Sequence, residues 1–396
     1  MIITTPARLK LISLCMGMMF WYGIEQLFLD TILQDPNARA WVTVVFTVTL
    51  LLFDIPGGWI ADKFGRKPTL VGGLVLQAVA VALLAASDSL QLYLAGTMVF
   101  GLYWALSSGT MQAYLYDHLK ETNSNHLYAK HQGGVYASGY IGAALANMAS
   151  GIIADSSTLQ MSYIMSLIPV AVGLLLALSL PTAHPTKSLG SRQKMVWTNR
   201  ISVQRTVRSV VRALRVQPLA VFYGLHIALG AGVFMTIGEF GQIFLLTYDV
   251  SATSLGMLWA GTAIAVAVGL QLAHHVQHIP LSILAVYTFL LVWFSFAGGP
   301  LAIVLFMLVY MWSEVVHVVS ETAIQHVTAS RVRATVLSGV TFAGNIVAIP
   351  LIWWFNHIVQ RSDIHQANTA IGITIASVII VSLIVVLWYR QHRSKC

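Results

Sequence analysis

Apolar residues in this chain come in long continuous runs. The first runs cover 11–30, 40–61, 69–86, 91–118, 132–154 and 161–180. After a polar stretch they resume at 219–247, 253–273, 281–297, 300–326, 334–359 and 369–389. Each is close to the ~20 residues an α-helix needs to cross the ~30 Å hydrocarbon core of a bilayer. A membrane barrel would instead show alternating strands of about ten residues. The pattern predicts an all-α membrane protein with twelve transmembrane helices.

Composition supports that reading. Of 396 residues, 57% are hydrophobic and only 9% are charged, against about 25% charged in an average soluble domain. So few charges cannot cover a soluble surface, which excludes an ordinary cytosolic enzyme, a disordered chain and a fibrous protein. The net charge is +8. In a soluble protein that excess would suggest nucleic acid; here its placement gives topology, and no nucleic-acid partner is expected. With twelve spans, all of the 22 Lys and Arg except Arg39 and Arg361 fall on the side that holds both termini. The positive-inside rule then puts the termini in the cytoplasm, with a bacterial cytoplasmic (cell) membrane as the expected address. Arg8 and Lys10 before an apolar run look like a signal peptide, but Glu25, Gln26 and bulky residues at 18–22 follow without a small-residue cleavage site. An uncleaved first span is expected. The two cysteines, Cys15 and Cys396, have no spacing that suggests a metal site or a disulfide framework.

The polar stretch at 181–218 divides the chain into two halves, 1–180 and 219–396. It carries eight basic residues, among them Arg205, Arg208, Arg212 and Arg215, and no acid. It reads either as an amphipathic helix on the anionic inner leaflet or as a solvated tether. The halves look like a repeat. Gly57, Ala61 and Pro68 at the end of span 2 match Gly269, Ala273 and Pro280 at the end of span 8, all at one offset, with His274 and His278 at the positions of Asp62 and Arg66.

Gly58, Asp62, Lys63, Gly65, Arg66 and Lys67 resemble the major facilitator superfamily signature Gly-x-x-x-Asp-Arg/Lys-x-Gly-Arg-Arg/Lys. They sit in the short loop between spans 2 and 3, where that family has it. Residues 331–338 are similar to the start of span 11 in drug-efflux relatives. The resemblance implies the superfamily fold of two six-helix bundles working by alternating access. It also implies that the motif loop contacts span 11 and is released from it during transport. The motif has a physical reading as well. The glycines are expected to allow close helix approach and a tight turn. Asp62 ends a helix whose dipole disfavours an anion there, so it needs a partner, for which Arg331 and Arg333 are candidates.

Ionisable residues inside spans are costly and tend to line a transport path. No Lys or Arg lies deep in a span, whereas Glu25, Asp54, Glu239, Glu314 and Glu321 do, joined by His226 and His317. Glu314, His317 and Glu321 are spaced i, i+3 and i+7, which puts them on one face of span 10. They are expected either to carry a proton and touch substrate, or only to join helices. Glu25 and Glu239 fall at nearly equivalent places in the two halves, with Gln26 and Gln242 beside them. They read as an outer gate or cation vestibule, or as snorkelling surface acids. Asp117 is expected to make a cytoplasmic structural contact. Trp21, Tyr22, Tyr103, Trp104, Tyr310 and Trp312 lie on spans that line the path in the superfamily; they are expected to stack on substrate or to pack helices. Gly134, Ser138, Gly142, Ala146 and Ser150 form a small-residue ridge on span 5. The Gly-Pro motif of many efflux pumps and the span 4 arginine of many proton antiporters are missing.

No phosphate-binding loop or nucleophile–base constellation is present, so no enzyme activity, no cofactor and no metal are expected. The leading expectation is a monomeric secondary active transporter, with a small molecule and protons as partners in the lipid bilayer, exporting lipophilic or cationic compounds as an antiporter. Uptake of a small neutral nutrient such as a sugar, and a non-transporting membrane sensor with the same fold, are the other two readings.

Overall fold

The computed structural model describes residues 4–32, 37–181, 218–276, 280–327 and 333–393. Among these every regular element is helical: α1 (Thr5–Gly17), α2 (Glu25–Ile32), α3 (Ala38–Phe64), α4 (Arg66–Ala85), α5 (Leu90–Glu121), α6 (Tyr128–Ser156), α7 (Leu159–Leu178), α8 (Pro218–Leu246), α9 (Ala252–Val276), α10 (Pro280–Phe296), α11 (Gly299–Val327), α12 (Arg333–Arg361) and α13 (Ile364–Arg393), with short 3-10 turns at Tyr22–Ile24 and Asn125–Leu127. Nine of the described spans are long and apolar enough to cross a membrane, and two bent helices, α3 and α8, bring the number to eleven. The remaining apolar helix, Leu281–Phe296, is shorter. Almost all of the basic stretch at 181–218 lies outside the described residues.

The first span, Thr5–Ile32, is not one continuous helix. Hydropathy predicts it whole, but α1 stops at Gly17 and regular α-helix resumes only at Glu25. A break inside an apolar span frees backbone groups that must find partners within the protein. Here they do. The Phe20 N–H donates to Ser166 Oγ at 2.9 Å, Gln242 Nε2 donates to the Tyr22 carbonyl at 2.6 Å, and Gln77 Nε2 reaches the Met16 carbonyl at 3.4 Å. The small-residue ridge of α6 receives α1. A Cβ on Gly142 would strike the Leu14 carbonyl, one on Gly134 the Lys10 side chain, and Ser13 donates to the Val135 carbonyl at 2.7 Å. Small side chains are what let these two backbones approach.

The two bends have different origins. Helix α3 turns by 46° between Ala38–Asp54 and Pro56–Phe64. Pro56 has no N–H to donate and its ring crowds the preceding turn, the usual cause of such a kink. Helix α8 bends by 41° between Phe222–Thr236 and Gly238–Leu246 without a proline.

The chain packs as two compact units, Met1–Pro185 with Gln242–Ala267, and Thr186–Gly241 with Val268–Cys396. Among the described residues the first shows two apolar cores. One gathers Leu9, Ile12, Leu70, Leu74, Tyr114 and Leu115. The other gathers Trp21, Ile24, Phe28, Tyr93, Phe100 and Tyr163. In the second unit, Phe234 stacks on Tyr310 with ring centres 4.4 Å apart, and Phe240 meets Phe355 at 4.8 Å.

Candidate functional site

The loop motif at the α3–α4 junction is an ion-pair centre. Gly65 has φ +99°, a left-handed backbone that favours glycine, and it turns the chain from α3 into α4. Arg66, just past the turn, reaches back to Asp62 at 2.7 Å and lies 3.8 Å from Asp117 on α5. Asp62 thus has its cation one helical turn away, within the motif. Arg331 lies outside the described residues, and of Arg333 only the backbone, at the start of α12, is described. Lys63 lies over the Trp59 ring at 4.6 Å. Lys67 donates to the Leu180 carbonyl at 2.6 Å, where α7 has just ended. The close helix approach falls on Gly57, not on Gly58. A Cβ at Gly57 would lie 2.7 Å from the Ala105 carbonyl oxygen, whereas no described atom comes within 4 Å of one at Gly58.

Within the span α1–α2, Glu25 is 7% exposed. Tyr93 at the start of α5 donates to Glu25 Oε1 at 2.6 Å, and the Tyr163 hydroxyl of α7 lies 3.3 Å from that of Tyr93. Aromatic rings wall the group. Trp21 stacks on Tyr163 at 5.5 Å, and Phe28 meets Tyr163 at 4.6 Å. Gln26 and Gln242 are directly joined, with the Gln26 N–H donating to Gln242 Oε1 at 3.1 Å. Tyr22 lies 6.2 Å from Trp259. Tyr103 is fully buried beside Phe100, while Trp104 on the same helix is 42% exposed. Asp54, at the α3 bend, is exposed.

In the second unit, α11 presents Glu314, His317 and Glu321 along one face, all half-buried. No hydrogen bond or ion pair joins Glu314 to another described residue; its electrostatic neighbours are His317, one turn on, and Tyr287 of α10. The Tyr287 hydroxyl is buried without a hydrogen-bond partner among the described residues. Glu321, and Glu239 just after the α8 bend, are half-buried, and each interacts with another group. Tyr310 is packed on Phe234, and Trp312 is half-buried. His226 is buried and tied at both ring nitrogens. Nδ1 lies 2.6 Å from the Phe222 carbonyl, which can only accept, so Nδ1 carries a proton; Nε2 faces Ser382 Oγ at 3.1 Å. Among the described residues no three His, Cys, Asp or Glu converge on a metal site.

Three participants escaped the reading of the sequence: Tyr93, Tyr163 and Asp155. Tyrosines at the ends of apolar runs look like members of an interfacial belt, which hides a buried hydrogen-bonding role. Asp155 carried a usable signal, an acid at the end of span 5 on the face that holds almost no bases.

A family model for the Major Facilitator Superfamily matches residues 9–351. The chain belongs to the major facilitator superfamily. As a superfamily member it is a multi-pass membrane protein and a secondary transporter, not an enzyme. It is similar to a nitrite extrusion protein of Bacillus subtilis (strain 168), 25% identical over 236 residues, 58% of this chain and 54% of that protein. The chain thus matches about half the length of this curated relative. Solved superfamily structures share the fold. A variant of the nucleoside transporter NupG has a TM-score of 0.76 at 13% identity, over 96% of this chain and 98% of that one. A D-xylose–proton symporter has 0.71 at 14%, over 94% and 96%. A bacterial homologue of the human lysosomal transporter Spinster has 0.70 at 12%, over 98% and 96%.

Proposed function

We propose that this transporter couples proton entry to export of lipophilic cationic or neutral small molecules, by alternating access between the halves 1–180 and 219–396. The observation that carries the reading is the face of α11 where Glu314, without a hydrogen-bonding partner among the described residues, stands one turn from His317. An unpaired carboxylate within a membrane is expensive, and protonation removes that cost. A group that must be protonated when shut away from water, and can ionise when a path opens, is a proton carrier. Glu25 and Glu239 are further acids for substrate or proton contact, and Asp62, Arg66 and Asp117 form the cytoplasmic gating centre together with Arg331 or Arg333. Both termini lie in the cytoplasm on this reading, and the protein acts as a monomer in the cell membrane.

The Bacillus relative's name supports the outward direction but not the anion. A small anion within a membrane is best met by a buried positive charge, and no Lys or Arg lies deep in any span. Buried acids without buried bases suit cationic or neutral cargo.

The test uses proteoliposomes with a pH-sensitive dye inside and tetraphenylphosphonium, ethidium and a set of sugars outside. Proton movement on adding a lipophilic cation, abolished in Glu314→Gln with unchanged thermal unfolding, is the expected outcome. Undiminished proton movement in Glu314→Gln sinks the assigned role. A response to a sugar alone turns the assignment to nutrient uptake.

A further inference from the structure

At the end of the spans opposite the motif loop, α6 crosses α9 with backbones in contact. A Cβ on Gly151 would lie 2.6 Å from the Thr253 Cα, and one on Gly256 would lie 3.0 Å from the Gly151 nitrogen. One turn beyond Gly151, Asp155 closes the crossing. Its Oδ2 accepts the Thr253 N–H at 2.9 Å and the Thr253 hydroxyl at 2.6 Å. Ala252 and Thr253 are the first two residues of α9. Helix-starting N–H groups have no partner within their own helix and carry the positive end of its dipole, so a carboxylate is the acceptor that suits them best. Ser251 serves the next donor, with the Ser254 N–H at 3.2 Å from its Oγ.

This cap is supplied from 98 residues away in the chain. Asp155 ends span 5 and Thr253 begins span 8, so the two residues belong to different halves of the transporter. Residues 242–267 pack with the first unit, and the Gln26–Gln242 bond links spans 1 and 7 in the same way. We infer that Asp155 is a latch: by capping α9 it holds this mouth of the transport path shut, and its release from Thr253 is an obligatory step of the cycle. The inference rests on the alternating-access reading but not on proton coupling or on the identity of the cargo. Asp155 is a positioning residue here. It need not touch cargo, and it acts by setting how often the α6–α9 crossing opens.

Asn147, 3% exposed and against Gly256 at the same crossing, offers a reporter site. The experiment measures N-ethylmaleimide labelling of Asn147→Cys in full-length protein in liposomes, with Cys15→Ser and Cys396→Ser. Labelling needs no cargo and no proton gradient, so it reads the latch even if the proposed coupling fails. Removing the cap by Asp155→Ala is expected to raise the labelling rate about tenfold, the change that follows from shifting an opening equilibrium tenfold. Thr253→Val, which keeps the backbone donor, gives a smaller rise. The double variant Asp155→Ala/Thr253→Val labels no faster than Asp155→Ala alone, because the two residues act through one contact. Asp155→Asn keeps the side-chain shape and an acceptor oxygen; it guards against misfolding and is expected to fall between wild type and Asp155→Ala, with thermal unfolding unchanged. Equal labelling in wild type and Asp155→Ala overturns the latch. So does a fully additive double variant, since a merely structural effect on each helix would add.

Discussion

The Tyr93 hydroxyl donates to Glu25 Oε1 at 2.6 Å, in a place where both side chains are shut off from solvent. A buried, ionised acid needs donors for its oxygens, and leaving one unmet costs the desolvation of that group. Tyr93→Phe keeps the ring that packs on Phe28 and removes only the donor. It is expected to destabilise the protein by about 1–3 kcal/mol. Glu25→Gln in the same background should recover part of that loss, because a neutral amide is cheaper to bury than a carboxylate. Thermal unfolding of the two single variants and the double variant checks this; simple additivity would show that the two residues are not coupled.

Adjacent glycines in the motif region should respond differently to the same change. A methyl on Gly57 would meet the Ala105 carbonyl, which belongs to a helix backbone and cannot swing aside. Gly57→Ala is therefore expected to cost about 1–3 kcal/mol, the usual penalty for overpacking. Gly58→Ala meets no described atom and should leave stability unchanged or slightly raised, since alanine also favours the helix. If Gly58→Ala nonetheless stops transport in well-folded protein, Gly58 is needed in another state of the cycle. Unfolding temperature and transport rate, measured side by side, separate these effects.

These glycines show where the sequence was readable. The helical spans were legible because hydropathy over twenty residues dominates any local detail. Buried acids such as Glu25 were legible because charge inside a span is rare. Their partners were not. Tyr93 reaches Glu25 across 68 residues, and no periodicity encodes that contact. The break after Gly17 was hidden because Met18, Met19, Phe20 and Trp21 are as apolar as a helix would be. What permits it is Ser166, Gln77 and Gln242 from other helices meeting the freed backbone. In the motif, the family pattern named Gly58, but the steric demand falls on its neighbour. Asp62 meets Arg66 four positions away, while Arg331 and the Arg333 side chain lie outside what is described.

Arg66 serves two acids, Asp62 and Asp117, on different helices. Asp62 is largely exposed, so the pairs contribute little to folding. Arg66→Ala should therefore change stability by less than about 1 kcal/mol. If the centre gates the path, transport should fall at least tenfold in the same variant, and Arg66→Lys should restore only part of it, because an ammonium lacks the planar fork that reaches both carboxylates. A variant that transports normally would reduce the motif to a topological loop.

The end of α7 is held by three donors from three other helices. Arg8 donates to the Ser179 carbonyl, Lys67 to Leu180 and Tyr114 to Pro181, each at 2.6 Å. Ser179 caps α7, and Leu180 and Pro181 follow it, so the two cations lie beside the negative end of the helix dipole, where they are favoured. Lys67 therefore has a bonding role beyond the retention of its loop by charge. Tyr114→Phe, at a fully buried ring, should cost about 0.5–1.5 kcal/mol through the lost hydrogen bond. Lys67→Met keeps the apolar stem and loses the donor, and a cost of at least the same size is expected because the freed carbonyl belongs to the buried Leu180. Lys67→Arg keeps a donor and should be near neutral. Unfolding measured at low and high salt distinguishes the contributions: the Lys67 effect should shrink as salt screens the dipole, and the Tyr114 effect should not. Equal salt dependence for both would show that the dipole plays no part in holding Lys67 there.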